Sequence, residues 1–276
     1  MKNFVDAKWL NDNLEDVVVI DARYDVHDAE YGDSVYEKDH ISGAFYLHID
    51  RDLAGKKGTH GGSRPVPDIN DFISKIEEIG IDNSTMVVIY DDSIIAAGRV
   101  FWMLKYLGHD KVVILDGGYK SWLNAGYPVT DLVPEKNNKK TFEKNVKKDL
   151  CCDMDYVKAN KDKDFASLVE CRSYERYLGK NEPLYPKAGH IPGAICIDSK
   201  SLLDENLKIK DREELENIFK SIKNKRDIIF SCGSGVNAAL VFVALDEIGK
   251  KGKIYIGGFS DWISYDENPV EIKDGH

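Results

Sequence analysis

Long apolar runs are missing from this sequence: the longest, Ala238 to Leu245, is far too short to span a membrane. The N-terminal stretch MKNFVDAKWLNDN also lacks the apolar core that a secretory signal needs. Positive charge is in deficit, with a formal net charge of −10 and a pI near 5.3, which argues against a nucleic-acid or anionic-membrane surface. Any anionic ligand must be held by local positive groups. The five cysteines, Cys151, Cys152, Cys171, Cys196 and Cys232, form an odd set with neither CxxC nor Cys/His metal spacing. These absences leave a cytosolic protein with free thiols as the expectation, with no metal or organic cofactor implied.

What is present is a repeat. At 276 residues, 42% hydrophobic and 31% charged, the chain is long enough for two globular domains, each with its own core. VVVIDAR (Val17 to Arg23) recurs as SLVECR (Ser167 to Arg172), and HISGA (His40 to Ala44) recurs as HIPGA (His190 to Ala194). VVILDGGYKSW (Val112 to Trp122) recurs as KIYIGGFSDW (Lys253 to Trp262), with the glycine pair and the tryptophan in register. Colinear matches of this kind predict one α/β unit written twice. The first copy is expected over residues 1–133 and the second over 150–276, joined by a solvated Lys/Asn/Glu-rich linker over 134–149.

Short β-branched runs within each copy predict buried parallel strands at Val17 to Asp21, Met86 to Tyr90 and Val112 to Leu115, then at Leu168 to Glu170, Ile228 to Phe230 and Ile254 to Ile256. Between them, DINDFISKIEEIG and DREELENIFKSI carry helical spacing, with Asp68 and Asp211 placed as N-caps. The predicted fold class is α/β: two tandem units, each a mainly parallel sheet flanked by helices. Arg23 and Arg172 read as structural ion-pair residues.

The chemistry concentrates at Cys232, which ends a strand and is followed by Gly233, Ser234, Gly235, Val236, Asn237 and Ala238 before a helical pattern. The spelling G-x-G-x-x-A suggests a dinucleotide fingerprint, but the next strand ends at Ile256-Gly257 without the acidic residue that would hold a ribose. A P-loop would need Lys-Ser/Thr after the last glycine, and a cysteine phosphatase loop would need arginine at position 238, where Ala238 stands. What remains is a thiol surrounded by main-chain N–H groups and the positive end of a helix, a setting that stabilises an anion on sulfur.

Taken together, DAR, HISGA, GRVFWMLKYLGH and LDGGYKSW in the first half, and RYLG, GHIPGA, CGSGVNA and GGFSDW in the second, resemble the tandem-domain rhodanese-like sulfurtransferases, which act on thiosulfate or 3-mercaptopyruvate. The resemblance covers nearly the whole chain. It implies that Cys232 takes a sulfur atom from a small anionic donor as a persulfide and passes it to a thiol such as thioredoxin, a small thiol or cyanide. The first copy carries Asp91 opposite Cys232, so it is expected to be inactive, with Arg99 the residue expected to face the cleft. CGSGV is similar to the loop of the mercaptopyruvate enzymes, so that donor is preferred, with thiosulfate:cyanide transfer as the alternative and a non-enzymatic sulfur-carrier dock as a further one.

By the same resemblance, Asp50 and His60 relay a proton through Ser234, Arg176 binds the donor's anionic group, and the loop amides from Gly233 to Ala238 hold the sulfur anion. The mercaptopyruvate members carry a second substrate arginine shortly before GHIPGA. This chain instead reads NEPLYPKAGH, where Lys187 is the cation available to stand in for it, and Asn237 stands where threonine is usual.

Overall fold

The computed structural model describes residues 1–135 and 138–273; Lys136 and Asn137 of the expected linker, and Asp274, Gly275 and His276 at the end of the expected second copy, lie outside the described residues. The chain packs into two compact units. The first comprises Met1–Gly55, Val66–Lys147 and Glu205–Ile209, and the second comprises Lys56–Pro65, Lys148–Asp204 and Lys210–His276. Each unit has therefore taken in a short segment from the other half of the sequence.

In the first unit the strands are β1 (Phe4–Val5), β2 (Val17–Asp21), β3 (His40–Ile41), β4 (Phe45–Tyr46), β5 (Met86–Tyr90), β6 (Val112–Leu115) and β7 (Val129–Thr130). Five of them form a sheet in the order β1-β6-β5-β2-β4, parallel throughout, while β3 and β7 pair antiparallel. The second unit repeats the plan with β8 (Cys151–Cys152), β9 (Ala166–Glu170), β10 (Ile195–Cys196), β11 (Asp227–Ser231) and β12 (Lys253–Tyr255), parallel in the order β10-β9-β11-β12-β8. The central strands of both sheets are buried, which is why their sequences read as unbroken β-branched runs rather than as alternation.

The helices start where their capping residues place them. Asp68 accepts from the amides of Asn70 and Asp71 ahead of helix Ile69–Glu78. Asp211 and Glu214 form a reciprocal capping box ahead of helix Arg212–Ile218.

The repeated motifs do the same structural work in both units. Trp122 and Trp262 are buried, and each satisfies its indole N–H on a proline carbonyl, Pro128 at 3.0 Å and Pro269 at 2.8 Å. Tyr36 stacks on His40 at 4.0 Å between ring centroids, and Tyr177 stacks on His190 at 3.9 Å. Arg23 pairs with Asp21 at 2.7 Å and Arg172 with Glu170 at 2.9 Å, the acid in each case being the last residue of its strand. Each guanidinium lies against a ring, Tyr119 at 4.2 Å and Phe259 at 4.0 Å.

Candidate active site

Strand β11 ends at Ser231, the chain turns through Cys232 to Gly235, and helix Val236–Glu247 begins at once. Gly235 is left-handed with φ 82°, so its amide turns back towards the sulfur and donates to Cys232 Sγ at 3.0 Å. Cys232 is only 1% exposed. The helix contributes its positive end at the same point.

The loop is held from behind by the GGFSDW turn. Phe259 N donates to Cys232 O at 2.6 Å and Ser260 N to Gly233 O at 3.2 Å. This close approach requires glycine at 258, where φ is +58° and a Cβ would stand 2.3 Å from the Cys232 carbonyl oxygen. Tyr185 also closes on the loop, its hydroxyl 2.6 Å from where a Cβ on Gly233 would be and its ring edge-on to Phe259 at 6.3 Å.

The other thiols have surroundings of a different kind. Burial pushes Cys152 and Cys171 up, and pushes Cys196 up to about 12, so these three hold their protons at neutral pH.

Beside the loop runs a chain of alternating charges. Glu182 accepts from Arg172 Nη1 at 2.7 Å and takes a side-on pair from Arg176, Nε at 3.0 Å and Nη2 at 2.7 Å. Burial works against charge on Arg172, but Glu170 and Glu182, with Cys232 beyond them, hold its guanidinium above the ordinary arginine value. Arg176, at 17% side-chain exposure, thus has one edge of its fork committed to Glu182.

The remaining residues expected at the site are placed as follows. Segment Lys56–Pro65 belongs to the second unit, so His60 does lie with the Cys232 unit, but its Nδ1 is 2.8 Å from Ser264 Oγ and its ring stacks on Tyr265 at 3.9 Å. The residue at Ser234 is instead Arg64, whose Nη1 donates to Ser234 Oγ at 3.1 Å. The expected His60–Ser234 relay is corrected accordingly, because a loop that fastens its imidazole to Ser264 and Tyr265 brings the side chain four residues further on to the serine. Asp50 is in the first unit, on helix Ile49–Asp52, where its amide donates to His48 Nδ1 at 3.0 Å.

Arg99 is also corrected. It is 0% exposed in the first unit, donating to Leu53 O at 3.1 Å with its guanidinium 5.2 Å from the Trp102 ring, so it is a core arginine rather than a cleft residue. Lys187 pairs with exposed Asp266 at 3.5 Å. The Asn237 side chain donates to Ser199 Oγ at 2.7 Å, tying helix Val236–Glu247 to the Ser199–Leu202 turn, while Val236 and Ala238 are buried at the helix start. Arg64, Glu182 and Tyr185 carry no local sequence signal of a site; Glu182 and Tyr185 stand in NEPLYPKAGH beside Lys187, where only the spacing to GHIPGA marks the stretch.

Comparison with known proteins agrees with this architecture. The rhodanese-like domain description matches twice, at residues 6–125 and 153–265. The chain is 33% identical over 267 residues to a probable 3-mercaptopyruvate sulfurtransferase of Pseudomonas aeruginosa, covering 94% of this chain and 93% of that protein. It is 29% identical over 273 residues to the thiosulfate sulfurtransferase of Rattus norvegicus, covering 94% and 91%. Among solved structures, the 3-mercaptopyruvate sulfurtransferase from Leishmania major shares the fold with a TM-score of 0.81 at 24% identity, over 94% of this chain and 73% of that one. With two copies of the domain in register and the cysteine loop in the second, the chain belongs to the rhodanese-like family of sulfurtransferases.

Proposed function

We propose that the protein takes the sulfur atom of 3-mercaptopyruvate, carries it as the sulfane sulfur of a persulfide on Cys232, and passes it to a thiol, thioredoxin among the candidates, or to cyanide. The observation that carries this reading is the Gly235 amide 3.0 Å from Cys232 Sγ at the head of a helix, a seat for negative charge on sulfur. The Cys232 thiolate attacks the donor sulfur, an S–S bond forms, the donor's C–S bond breaks, and its electron pair leaves on the pyruvate enolate, which takes up a proton. In the second half-reaction the acceptor thiolate attacks the outer sulfur and expels the Cys232 thiolate, so kinetics are ping-pong.

Arg176, oriented by Glu182, offers its end-on edge to the donor's carboxylate, and the loop amides from Gly233 to Ala238 face the sulfur anion. Ser234 supports mercaptopyruvate as the donor, since its hydroxyl stands two residues from the nucleophile and accepts from Arg64, leaving its own proton to give to the enolate. Among the described residues no helix is long and apolar enough to cross a membrane. A cytoplasmic setting, which keeps such a thiol reduced, fits the chemistry.

The test is kcat/KM for 3-mercaptopyruvate and for thiosulfate side by side, with intact-mass spectra after donor treatment. A one-sulfur adduct that is lost in Cys232→Ser, and a higher kcat/KM for mercaptopyruvate, are expected. Better turnover of thiosulfate would reverse the donor choice, and an adduct persisting in Cys232→Ser would remove the assignment.

A further inference from the structure

The DAR and ECR motifs differ at their middle residue, and the fold puts that residue next to the nucleophile. In the first unit the register of β2 and β5 reaches Asp21 opposite Tyr90, and Ala22 N donates to Tyr90 O at 2.8 Å, so Ala22 stands beside Asp91. In the second the register of β9 and β11 reaches Glu170 opposite Ser231, and Cys171 N donates to Ser231 O at 2.7 Å, so Cys171 stands beside Cys232. Register partners on neighbouring parallel strands project to the same face about 4.8 Å apart, within the roughly 4.4–6.8 Å between Cα atoms that a disulfide spans. Cys171 Sγ lies 3.6 Å from Val169 O. Val169 and Cys171, two residues apart, turn their backbone groups to the same neighbouring strand, so the sulfur leans over the gap between β9 and β11. Both thiols are enclosed, Cys171 at 0% and Cys232 at 1% exposure. The other thiols are on more distant strands: Cys196 on β10, across β9 from β11, and Cys151 and Cys152 on β8, beyond β12.

We propose that Cys171 is a resolving thiol that attacks Cys232 Sγ of the persulfide when no acceptor is present, giving the protein a sulfide-releasing activity of its own. This rests on the sulfurtransferase reading above and extends it. A Cys171–Cys232 disulfide forms and the persulfide S–S bond breaks. Its electron pair leaves on the outer sulfur, which takes the proton of the Cys171 thiol and departs as hydrosulfide. The sulfane sulfur is thereby reduced to sulfide and the two cysteine sulfurs are oxidised, with no external oxidant. A dithiol reductant of the thioredoxin class then restores both thiols by exchange. Burial, and after it the charge on Cys232, push the Cys171 thiol up, so negative charge on Cys232 holds the proton on Cys171. Loading moves that charge outwards to the terminal sulfur and loosens its hold, which makes Cys171 a nucleophile only towards the loaded enzyme.

The experiment mixes the full-length reduced protein, freed of small thiols, with one equivalent of 3-mercaptopyruvate or of thiosulfate. Pyruvate or sulfite, free sulfide, intact mass and non-reducing peptide maps are followed together. In the wild type the one-sulfur adduct should decay as sulfide appears, leaving a peptide linked through Cys171 and Cys232. Cys171→Ala, which copies Ala22 of the first unit, should keep the adduct about 10-fold longer or more, since a positioned neighbour far outruns solution thiols. Cys196→Ala should behave as the wild type. Equal adduct lifetimes in wild type and Cys171→Ala, or sulfide release without the linked peptide, overturn the proposal. Pyruvate or sulfite still formed in that case would leave the transfer reading standing, and neither product from either donor would remove that reading itself. Diamide judges the pair without any donor: it should link Cys171 to Cys232 in the wild type, and failure to do so refutes their placement.

Discussion

Cys232 and Asp91 occupy the same seat in the two copies of the fold. Each follows the central strand, β11 or β5, and each lies four residues before a helix, Val236–Glu247 or Ile95–Leu107. Each carbonyl accepts the amide that follows the glycine pair, from Phe259 at 2.6 Å and from Tyr119 at 2.8 Å. In the second unit the turned-in amide meets sulfur. In the first it meets a carboxylate: Asp91 Oδ1 accepts from Ser93 N at 3.0 Å, and Oδ2 from Ala96 N at 2.6 Å and Ala97 N at 3.3 Å. The first copy retains the anion seat and fills it with its own side chain.

That substitution has a pH signature. Burial pushes the Asp91 carboxyl up to about 7, against the opposing pull of the Ala96 amide. The folded state then binds more protons than the unfolded chain between about pH 4 and 7, so this group's stabilisation is full below the lower value and is lost as pH rises through the upper one. Urea unfolding across that window should show wild type losing stability with rising pH relative to Asp91→Asn, by on the order of 2–4 kcal/mol. Parallel curves for the two proteins would refute the shift.

The glycine pair gives a matched test. Gly258→Ala and Gly118→Ala each place a Cβ against the seat carbonyl, at 2.3 Å from Cys232 O and 2.2 Å from Asp91 O, in left-handed conformations. Both should lower stability by about 1–3 kcal/mol or more. Only Gly258→Ala should also lower turnover per folded molecule, measured against circular dichroism. Equal turnover losses in the two variants would mean that the first seat takes part in the chemistry.

Glu182 is a buried carboxylate shared by two arginines. Replacing it by glutamine leaves Arg172 without its second partner and frees the Arg176 fork, which should cost about 3–5 kcal/mol in denaturant unfolding. The KM for donor should rise as Arg176 loses its orientation. A loss below about 1 kcal/mol would show that the network is solvated, as surface pairs are.

Ser234→Ala removes an acceptor of Arg64 and the hydroxyl proton together. Turnover of mercaptopyruvate, whose leaving group needs a proton, should fall about 100-fold or more. Thiosulfate, whose leaving sulfite does not, should lose far less. Equal losses with the two donors would place Ser234 outside proton transfer.

The repeat, the strands, the two aspartate caps and the glycine-framed cysteine are all visible in the sequence because each is a local signal, set by side-chain period, φ preference or capping chemistry within a few residues. The repeated glycine pair even marks the approach of the GGFSDW turn to Cys232, since only glycine tolerates it. What the sequence could not decide is which distant segments meet. Arg64 and Ser234 are 170 residues apart, and the four-residue difference between His60 and Arg64 was settled by the bonds of Gly61 N to Asp261 and of Ser63 N to Ser260, on either side of Gly62. Arg99, read locally as a cationic cleft residue, went into the core because Leu53 and Trp102 could hold its guanidinium there. A motif records the chemistry that its own backbone prepares; the partner of that chemistry depends on which surfaces pack in three dimensions, and no short-range pattern encodes that.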